Sequence, residues 1–581
     1  MATAYDGLPR HHQATQSEKL VITASSLGTI FEWYDFYLYG LLTAIIAAQF
    51  LTGLNPTTSF IMALLIFAAG FVVRPFGALV FGRIGDMVGR RYTFIITLTV
   101  MGLSTFLVGC LPTYKTVGVA APIMLVILRM LQGLALGGEY GGAATYVAEH
   151  APNNKRGLYT SFIQITATGG LAMALLIVIA VRSPVSGVGE EAFKAWGWRI
   201  PYLLSGGFLV IGLWLRLKLH ESPVFQKMKA EGTSSKAPLT EAFAEWKNLK
   251  IVLIAFFGAI AGQAVIWYTG QLYAMYFLEK MLKVDGITAN TLVMAGLVLG
   301  VPFFLFFGWL SDKIGRKPII MAGCALATLT LFPTFHALTR AANPALAQAQ
   351  ETAPVTVTAN PDECSSQFDP VGTNKFDSTS CDIVKNALAK AAVNYRLAKA
   401  APGTVASISI GATAIAAPDP KVVTGDDRKK AIAAFTARIA GAAAVPAKPA
   451  DGAKPAVDAK PAVIGELSKV GYPAKADPKA INTPLVIALL FYLVLLVTMV
   501  YGPIAAMLVE LFPSKIRYTS MSLPYHIGNG WLGGLLPAIG FAMVAANGDI
   551  YYGFWYPVVV AALTLVFGMI FLPETYKRNI D

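Results

Sequence analysis

Long apolar stretches are the feature that most constrains how this chain can fold. A transmembrane helix needs about 20 mostly apolar residues, and about twelve such stretches occur, six on each side of a polar segment at 220–249. Their approximate ranges are 21–50, 59–81, 92–111, 119–147, 158–181, 199–219, 250–278, 288–310, 318–340, 482–509, 518–546 and 551–573. The pattern predicts an all-α membrane protein with about twelve transmembrane helices in two six-helix, pseudo-symmetric halves.

The composition agrees with this interpretation and excludes several classes of protein. Charged residues make up 14% of the 581 residues, whereas a soluble domain carries about 25%. Polar groups therefore cannot cover the surface, and lipid must be part of the solvent. A soluble enzyme, a collagen-like fibre and a disulfide-stapled secreted module are excluded. The net charge of +13 fits cytoplasmic loops rich in Lys and Arg better than nucleic-acid binding.

The loops between the apolar stretches alternate in positive charge, which predicts their orientation. Lys and Arg collect in cytoplasmic loops, and here they collect after every second stretch, including the loop that starts at Arg216. Both termini are therefore predicted to be cytoplasmic. The predicted organisation is a cytoplasmic tail (1–20), an N-terminal half (21–219), a cytoplasmic linker (220–249), helices 7–9 (250–340), an extracytoplasmic low-complexity segment (341–480), helices 10–12 (481–573) and a second cytoplasmic tail (574–581).

Two motifs occur once in each half. Gly82–Arg91 and Gly308–Lys317 both read G-x-x-x-D-x-x-G-R-[RK], 226 positions apart. Glu149–Arg156 and Glu510–Arg517 both read E-x-x-P-x-x-x-R, 361 positions apart. The two offsets differ by 135 residues, which predicts a large insertion between helices 9 and 10.

The segment 341–480 has the composition expected of that insertion. It is rich in Ala, Pro and Lys, with imperfect Ala-Lys-Pro-Ala repeats that start at Ala447, Ala453 and Ala459. Such tracts bury too little apolar surface to offset chain entropy, although the part at about 380–442 can form a small folded module. Cys364 and Cys381 lie in this segment, either as a disulfide or as two free thiols. No function is assigned to the segment.

Several motifs outside this segment resemble those of a known family. The repeated G-x-x-x-D-x-x-G-R-[RK] loop resembles the signature of the major facilitator superfamily. Phe31–Tyr37, Arg74–Gly77, Gly137–Gly142, Trp196–Pro201 and Glu221–Phe225 look like its metabolite:proton symporter family. The resemblance implies alternating access in the inner membrane of a bacterium. It also implies a substrate among the di- and tricarboxylates, shikimate-like acids, or zwitterions such as proline and betaine.

The repeated loops predict a gate between the halves. Asp86 lies at a predicted helix end, where a carboxylate can face the positive N-terminus of a neighbouring helix and pair with arginine. The resemblance implies that such contacts latch the halves together while the site faces outward; the alternative is that these charges only anchor the helix ends. The candidate gating residues are Gly82, Arg83, Asp86, Gly89, Arg90, Glu149, Arg156, Asp312, Gly315, Arg316, Glu510 and Arg517.

Ionisable residues inside the apolar stretches are few. Each is a candidate functional group, because a charge at mid-membrane costs about 2.5–3.5 kcal/mol. The resemblance implies that an acid in helix 1 faces an arginine in helix 4 and releases it on protonation. Asp35 and Arg129 are the preferred proton-coupling pair, with Glu32 and Glu139 as the rival carriers. The alternative is a permanent structural ion pair.

Candidate substrate-binding residues are polar or aromatic groups within the apolar stretches. Arg74 either snorkels to the cytoplasmic interface or binds a substrate carboxylate, and the sequence favours the first. His526 is either a pH-sensing group or a hydrogen-bonded packing residue. The full set is Arg74, Gln132, Tyr140, Gln164, Gln263, Trp267, Gln271, His526 and Asn529.

The sequence thus predicts an uptake carrier that moves a small organic acid with protons. Proton-coupled uptake of a zwitterion and uncoupled facilitation are the alternatives. A membrane enzyme is disfavoured because six scattered histidines supply neither a nucleophile–base pair nor a metal cluster. No cofactor or metal is expected beyond the proton gradient. The expected partners are the substrate, protons and membrane lipid but no nucleic acid, and the expected state is a monomer.

Overall fold

Six long helices form the N-terminal half. The computed structural model describes residues 14–51, 56–152, 154–183, 186–218, 221–365, 376–391, 393–441 and 465–580. The helices of this half are α1 (Ala14–Leu41), α2 (Pro56–Met87), α3 (Arg90–Cys110), α4 (Ala120–His150), α5 (Arg156–Arg182) and α6 (Arg199–Leu217).

Six further long helices form the C-terminal half. They are α7 (Trp246–Met281), α8 (Gly286–Ile314), α9 (Arg316–Ala342), α10 (Thr483–Leu511), α11 (Arg517–Val544) and α12 (Tyr552–Phe571). Among the described residues, 11 helices are long and apolar enough to cross a membrane. The polar helix α1, with Glu32 and Asp35, is outside that group but packs along α5 and α6. The predicted helical membrane fold in two halves is confirmed, but the chain is not all-α, because a small sheet follows α9.

Two glycines bring α2 and α4 into backbone contact. A Cβ atom at Gly77 would overlap the carbonyl group of Leu134, and one at Gly137 would overlap the carbonyl group of Arg74. Small residues at a crossing let membrane helices approach closely. The backbone of Arg74 is therefore held directly against the glycine-rich part of α4.

Two helices of the C-terminal half contain π-helical turns. In α7 these turns are Phe256–Ile260, Thr269–Tyr273 and Phe277–Met281, and in α11 the turn is Ile527–Gly533. Such turns interrupt the regular hydrogen-bond ladder and occur frequently at functional sites. Both helices carry predicted substrate residues.

A small α/β unit follows α9, and we call residues 344–480 the sheet module. Its strands are β1 (Val355–Ala359), β2 (Tyr395–Lys399), β3 (Ser407–Ile410) and β4 (Thr413–Ala416), in the order β2-β1-β3-β4. The β1–β2 pair is parallel and is connected through the helix Ser380–Ala391, whereas β3 is antiparallel to β1 and β4.

The ordered part of the sheet module is larger than the sequence predicts. Low complexity was expected from 341 onward, with a possible fold only at about 380–442, yet the sheet begins at Val355. The reason is that β1 buries alternate residues, so its small side chains contribute to a core together with Ile408 and Ile410. The three Ala-Lys-Pro-Ala repeats lie outside the described residues.

The sheet module docks on loops of the C-terminal half. At the α11–α12 loop, Tyr395 N donates to Gly548 O at 3.1 Å, and Ile550 N donates to the Asn394 side chain at 2.6 Å. At the α7–α8 loop, Ala476 N donates to Lys283 O at 3.0 Å, and the Lys283 ammonium group donates to a module carbonyl at 3.1 Å. Gly548 has a φ of +94°, and the Tyr395 ring fills the place of its missing side chain.

Cys364 and Cys381 form a disulfide, which favours the first of the two alternatives left open by the sequence. Thiol titration of the denatured protein tests it: we expect only Cys110 and Cys324 to react without reductant and all 4 cysteines to react after reduction. Replacing both bridged cysteines by serine should destabilise the sheet module by about 3 kcal/mol, the value for a closed loop of about 15 residues. Four reactive thiols before reduction would contradict the disulfide.

Candidate transport site and gate

The two halves meet at one end of the bundle, which we call the gate end. Asp86, in the last turn of α2, accepts backbone hydrogen bonds from Tyr518 at 3.4 Å and Thr519 at 2.8 Å. These N–H groups belong to the first turn of α11, whose positive dipole end favours a carboxylate. A Cβ atom at Gly82 would come within 3.1 Å of the Thr519 backbone, so this glycine permits the close approach.

Buried ion pairs complete this contact. Arg90 lies 3.3 Å from Asp86 and 3.8 Å from Glu149, while Arg517 lies 2.9 Å from Glu149. All four side chains are almost completely buried. Glu149 of the N-terminal half therefore holds Arg517 of the C-terminal half, and the gate end is closed here.

The second copy of the motif makes the same contact with the halves exchanged. Asp312, at the end of α8, accepts two backbone hydrogen bonds from the first turn of α5, both at 2.9 Å. Arg316 lies 2.8 Å from Asp312 and 3.1 Å from Glu510, and Arg156 lies 3.3 Å from Glu510. The gate is therefore duplicated, as the sequence motifs are.

Two further carboxylates of the gate were missed from the sequence. Glu221 accepts the first backbone N–H groups of α3 at 3.1 and 3.2 Å, and Glu574 accepts those of α9 at 3.0 Å each. The residue after each of these glutamates also contacts the gate. Ser222 donates to Glu149 at 2.6 Å, and Thr575 donates to Glu510 at 2.7 Å. In the sequence, the signal that could have indicated these carboxylates is a Glu-Ser pair after α6 and a Glu-Thr pair at the equivalent place after α12.

The glycines of the repeated motif make room for these carboxylates. Gly89 and Gly315 directly precede α3 and α9, with φ values of +142° and +106°. A Cβ atom at either position would overlap the carboxylate of Glu221 or Glu574. Both the backbone conformation and the space therefore require glycine.

Arg83 is the predicted gating residue that the structure places elsewhere. Its side chain is exposed, and its Nε donates to the sulfur of Met87 at 3.4 Å. The reason is helical phase: Arg83 is rotated about 100° from Gly82, which lies against α11. Arg83 takes no part in the gate ion pairs of the described residues.

A buried cluster inside the N-terminal half contains Glu32, Glu139 and Arg216, which we call the triad. Arg216 is bound by Glu139 through both Nη atoms, and its Nη1 lies 3.1 Å from Glu32. Glu139 also accepts hydrogen bonds from Thr29 at 3.0 Å and Thr97 at 3.1 Å. From the sequence, Arg216 counted only as a loop cation, because helical phase within one segment does not identify a partner on another helix.

Asp35 and Arg129 do not form an ion pair in this conformation. Asp35 accepts a hydrogen bond from Ser205 at 2.5 Å. Arg129 donates to Gln132 at 2.5 Å, and Gln132 donates to Thr105 at 2.7 Å. Within the described residues, each of the predicted partners is thus held by neutral side chains instead of by the other.

Aromatic rings surround the Arg129 guanidinium. Its carbon lies 5.0, 4.5 and 5.2 Å from the ring centres of Phe36, Tyr39 and Phe67, a range in which cation–π attraction operates. Its Nε and Nη2 atoms have no hydrogen-bond partner. Within the described residues, no carboxylate lies within ion-pair distance of this cation.

Arg74 lies at the junction of the two halves and does not snorkel, contrary to the interpretation that the sequence favours. It is fully buried, with ring centres of Trp33, Phe36 and Phe71 at 5.6–5.8 Å. Its Nη1 donates to the Tyr268 hydroxyl of α7 at 3.4 Å, and its Nε and Nη2 have no hydrogen-bond partner among the residues that the structure describes. The close α2–α4 contact keeps the side chain inside the bundle.

The predicted polar residues of α7 lie at the same junction. Gln263 exchanges two hydrogen bonds with Asn529 of α11, at 3.0 and 3.2 Å. Gln271 donates to Thr168 of α5 at 3.4 Å, which crosses between the halves. The Oε1 atom of Gln271 has no partner among the described residues. These amides therefore lie at the interface between the two halves.

Aromatic groups of both halves complete this region. The ring of Trp267 lies 6.2 Å from Trp33 and 6.4 Å from Tyr37. Within the described part of the chain, the polar atoms of Trp267 and Tyr37 and both ring nitrogens of the buried His526 have no hydrogen-bond partner.

A tyrosine stack lies next to this region. Tyr140 of α4 stacks on Tyr525 of α11 with ring centres 3.5 Å apart, and Tyr501 of α10 contacts the Tyr525 hydroxyl at 2.8 Å. Gln164 donates to the Tyr140 hydroxyl at 2.8 Å. The predicted substrate residues other than Gln132 therefore lie on helices that meet at one interhalf region, which we call the central site. Gln132 instead accepts a hydrogen bond from Arg129, away from this region.

The central site between two gated six-helix halves defines a membrane transporter. The model of the sugar (and other) transporter family matches residues 20–356 and 462–581. The chain therefore belongs to this family of the major facilitator superfamily.

Individual relatives agree with this assignment. The proline/betaine transporter of Salmonella typhimurium is 34% identical over 54% of this chain and 63% of its own length. The alpha-ketoglutarate permease of Escherichia coli is 33% identical over 56% of this chain and 72% of its own length. The match thus spans less than two thirds of the proline/betaine transporter. The solved structure of the proton:xylose symporter XylE has the same fold, with a TM-score of 0.58 at 15% identity over 97% of this chain and 98% of that one.

The gate can be tested at Glu149. Glu149→Gln leaves Arg90 and Arg517 buried without their shared carboxylate, and breaking a buried pair costs about 3–5 kcal/mol. We expect a lower unfolding temperature in detergent and faster alkylation of a cysteine introduced at the gate end. Glu351→Gln is the control, since its ion pair with Arg340 is exposed and such pairs contribute little. Equal effects of the two substitutions would contradict the gate.

Proposed function

We propose that this protein is a secondary active transporter that takes up a small organic acid together with protons by alternating access. The observation that supports it best is Arg74, a fully buried cation at the junction of the halves with two unpartnered nitrogen atoms. The substrates are to be sought among mono-, di- and tricarboxylates and shikimate-like acids.

The unpaired state of Arg74 favours an anionic ligand. An uncompensated charge is costly in apolar surroundings, and the arginines of the gate and triad are all paired with carboxylates. Arginine binds a carboxylate through two parallel hydrogen bonds. A substrate carboxylate would supply the missing partner, and the amides Gln263, Gln271 and Asn529 would orient the rest of the molecule.

A zwitterion is the second candidate, and the aromatic groups favour it. Trp33 lies beside Arg74, and Tyr37 and Trp267 continue the same group of rings; aromatic faces attract ammonium groups. A zwitterion would place its carboxylate at Arg74 and its cation against these rings. A relative that is named for proline and betaine and one that is named for alpha-ketoglutarate support the two candidates about equally.

Asp35 is the proposed proton carrier. It is buried and accepts a hydrogen bond from Ser205, and no cation of the described residues lies within ion-pair distance. A carboxyl group buried in this way is less costly in its neutral form. Its protonation would remove a negative charge from the half that holds Arg129, whose guanidinium has no carboxylate partner among the described residues.

The proposed setting is the inner (cytoplasmic) membrane of a bacterium, with both termini and the gate end in the cytoplasm. The supporting observation is the concentration of Lys and Arg in the loops at the gate end. The sheet module would then lie outside the cytoplasm, where a disulfide is stable. We further propose a monomer that uses the proton gradient and no cofactor.

Uptake into proteoliposomes tests the substrate class. The panel is a dicarboxylate, a tricarboxylate, shikimate, proline and betaine, each with and without an inward proton gradient. For the substrate found, Arg74→Gln should lower affinity by about 10- to 100-fold, because a charged hydrogen-bonding contact contributes about 1.5–3 kcal/mol. Arg340→Gln, at an exposed site, should leave uptake unchanged. Uptake of proline or betaine alone would replace the organic acid by the second candidate.

Asp35→Asn tests proton coupling. Asparagine resembles the neutral carboxyl group, so we expect substrate exchange across the membrane to continue while accumulation against a gradient is lost. Counterflow and gradient-driven uptake, measured on the same proteoliposomes, separate the two activities. Gradient-driven accumulation by the variant at the wild-type level would rule out Asp35 as the carrier.

A further inference from the structure

We propose that Glu32 is a second proton-carrying site, protonated while the gate end is closed and released when it opens. Each transport cycle then moves one more proton than Asp35 alone provides. The inference rests on the proposed function for its role in transport, but the proton on Glu32 can be measured without transport.

The charge balance of the triad requires a proton. Glu32 and Glu139 are two carboxyl groups that share the single cation Arg216, and all three side chains are 1% exposed. With both glutamates ionised, the triad would carry one uncompensated negative charge in an interior that disfavours charge. One bound proton makes the triad neutral.

The hydrogen bonds indicate which glutamate carries the proton. Glu139 receives hydrogen bonds from both Nη atoms of Arg216 and from two threonine hydroxyls, as an ionised carboxylate does. Neither oxygen of Glu32 accepts a hydrogen bond within the described residues, although Arg216 Nη1 is only 3.1 Å away. Glu32 and Glu139 both lie beside Arg216 Nη1, at 3.1 and 3.3 Å, so a proton on Glu32 also removes the repulsion between two neighbouring carboxylates.

Among the described residues, Arg216 is the cation that forms an ion pair with Glu32. Asp35 lies one turn along α1, and the hydroxyl of Tyr518 from α11 contacts the backbone next to Glu139. The gate guanidinium groups of Arg90 and Arg517 instead pair with the gate carboxylates Asp86 and Glu149. The proton on Glu32 is therefore the remaining way to balance the triad.

Tyr518 connects the triad to the gate. Its backbone N–H donates to Asp86 and its hydroxyl donates to the carbonyl of Gly138, the neighbour of Glu139. The tyrosine ring fills the space left by Gly85, Gly141 and Gly142. Opening the gate end withdraws Tyr518 together with α11, so water reaches the triad. The Glu32 proton then passes to water, and the resulting carboxylate pairs with Arg216.

The proton-to-substrate ratio, obtained from reversal potentials in proteoliposomes, tests the inference. We expect Glu32→Gln to transport the same substrate with one proton fewer per molecule than the wild type. Glu139→Gln should do the same, because Glu32 then becomes the ionised partner of Arg216. Glu351→Gln is the control for a change of one glutamate at an exposed site. A ratio unchanged by Glu32→Gln would overturn the second proton while leaving the proposed function intact.

Infrared spectroscopy of the purified protein separates the two proposals. A protonated carboxyl group has its own C=O absorption, which should be weaker in Glu32→Gln than in the wild type and Glu351→Gln. Loss of this absorption in Glu32→Gln would support the proton on Glu32 even if no substrate of the panel were transported. Absence of transport would count against the proposed function alone. An unchanged band would overturn the inference.

Discussion

The cost of placing charge in an apolar interior organises this molecule. Each buried arginine of the gate and the triad lies beside a carboxylate. Arg74 and Arg129 instead lie among aromatic rings and retain unpartnered nitrogen atoms. Paired charges hold helices together and unpaired ones attract a ligand, so this division separates the structural and conformational parts of the bundle from the proposed binding part.

The duplicated gate follows from the internal repeat and explains how it can open and close. In both copies a carboxylate at a helix end accepts the first N–H groups of a helix from the other half. Buried ion pairs join the same helix ends. The closed state therefore depends on polar contacts between the halves that can re-form each time the halves meet, which suits the proposed alternation between two states.

The sequence was sufficient to predict features that local patterns encode. It was not sufficient for contacts that depend on how helices pack against each other. Apolar length, charge alternation and repeat spacing were sufficient for the two-half fold, and the motif glycines indicated where helices come close. The partner of Arg216 and the separation of Asp35 from Arg129 depend on how α1, α3, α4 and α6 pack side by side, which periodicity within one helix cannot give. Arg74 was misjudged because its position near a helix end suggested an exit to water that the α2–α4 contact blocks.

The sheet module shows that amino-acid composition is likewise insufficient to predict whether a segment folds. Its alanines and lysines suggested an unfolded tract. In β1, however, every second residue is buried. These apolar side chains are small, and they are buried because other parts of the module cover that face of the sheet. Its hydrogen bonds to the bundle, in the part of the chain described, reach only the α7–α8 and α11–α12 loops and the end of α9. All of these belong to the C-terminal half. The module can therefore move with that half as one body and leave the gate between the halves free to work.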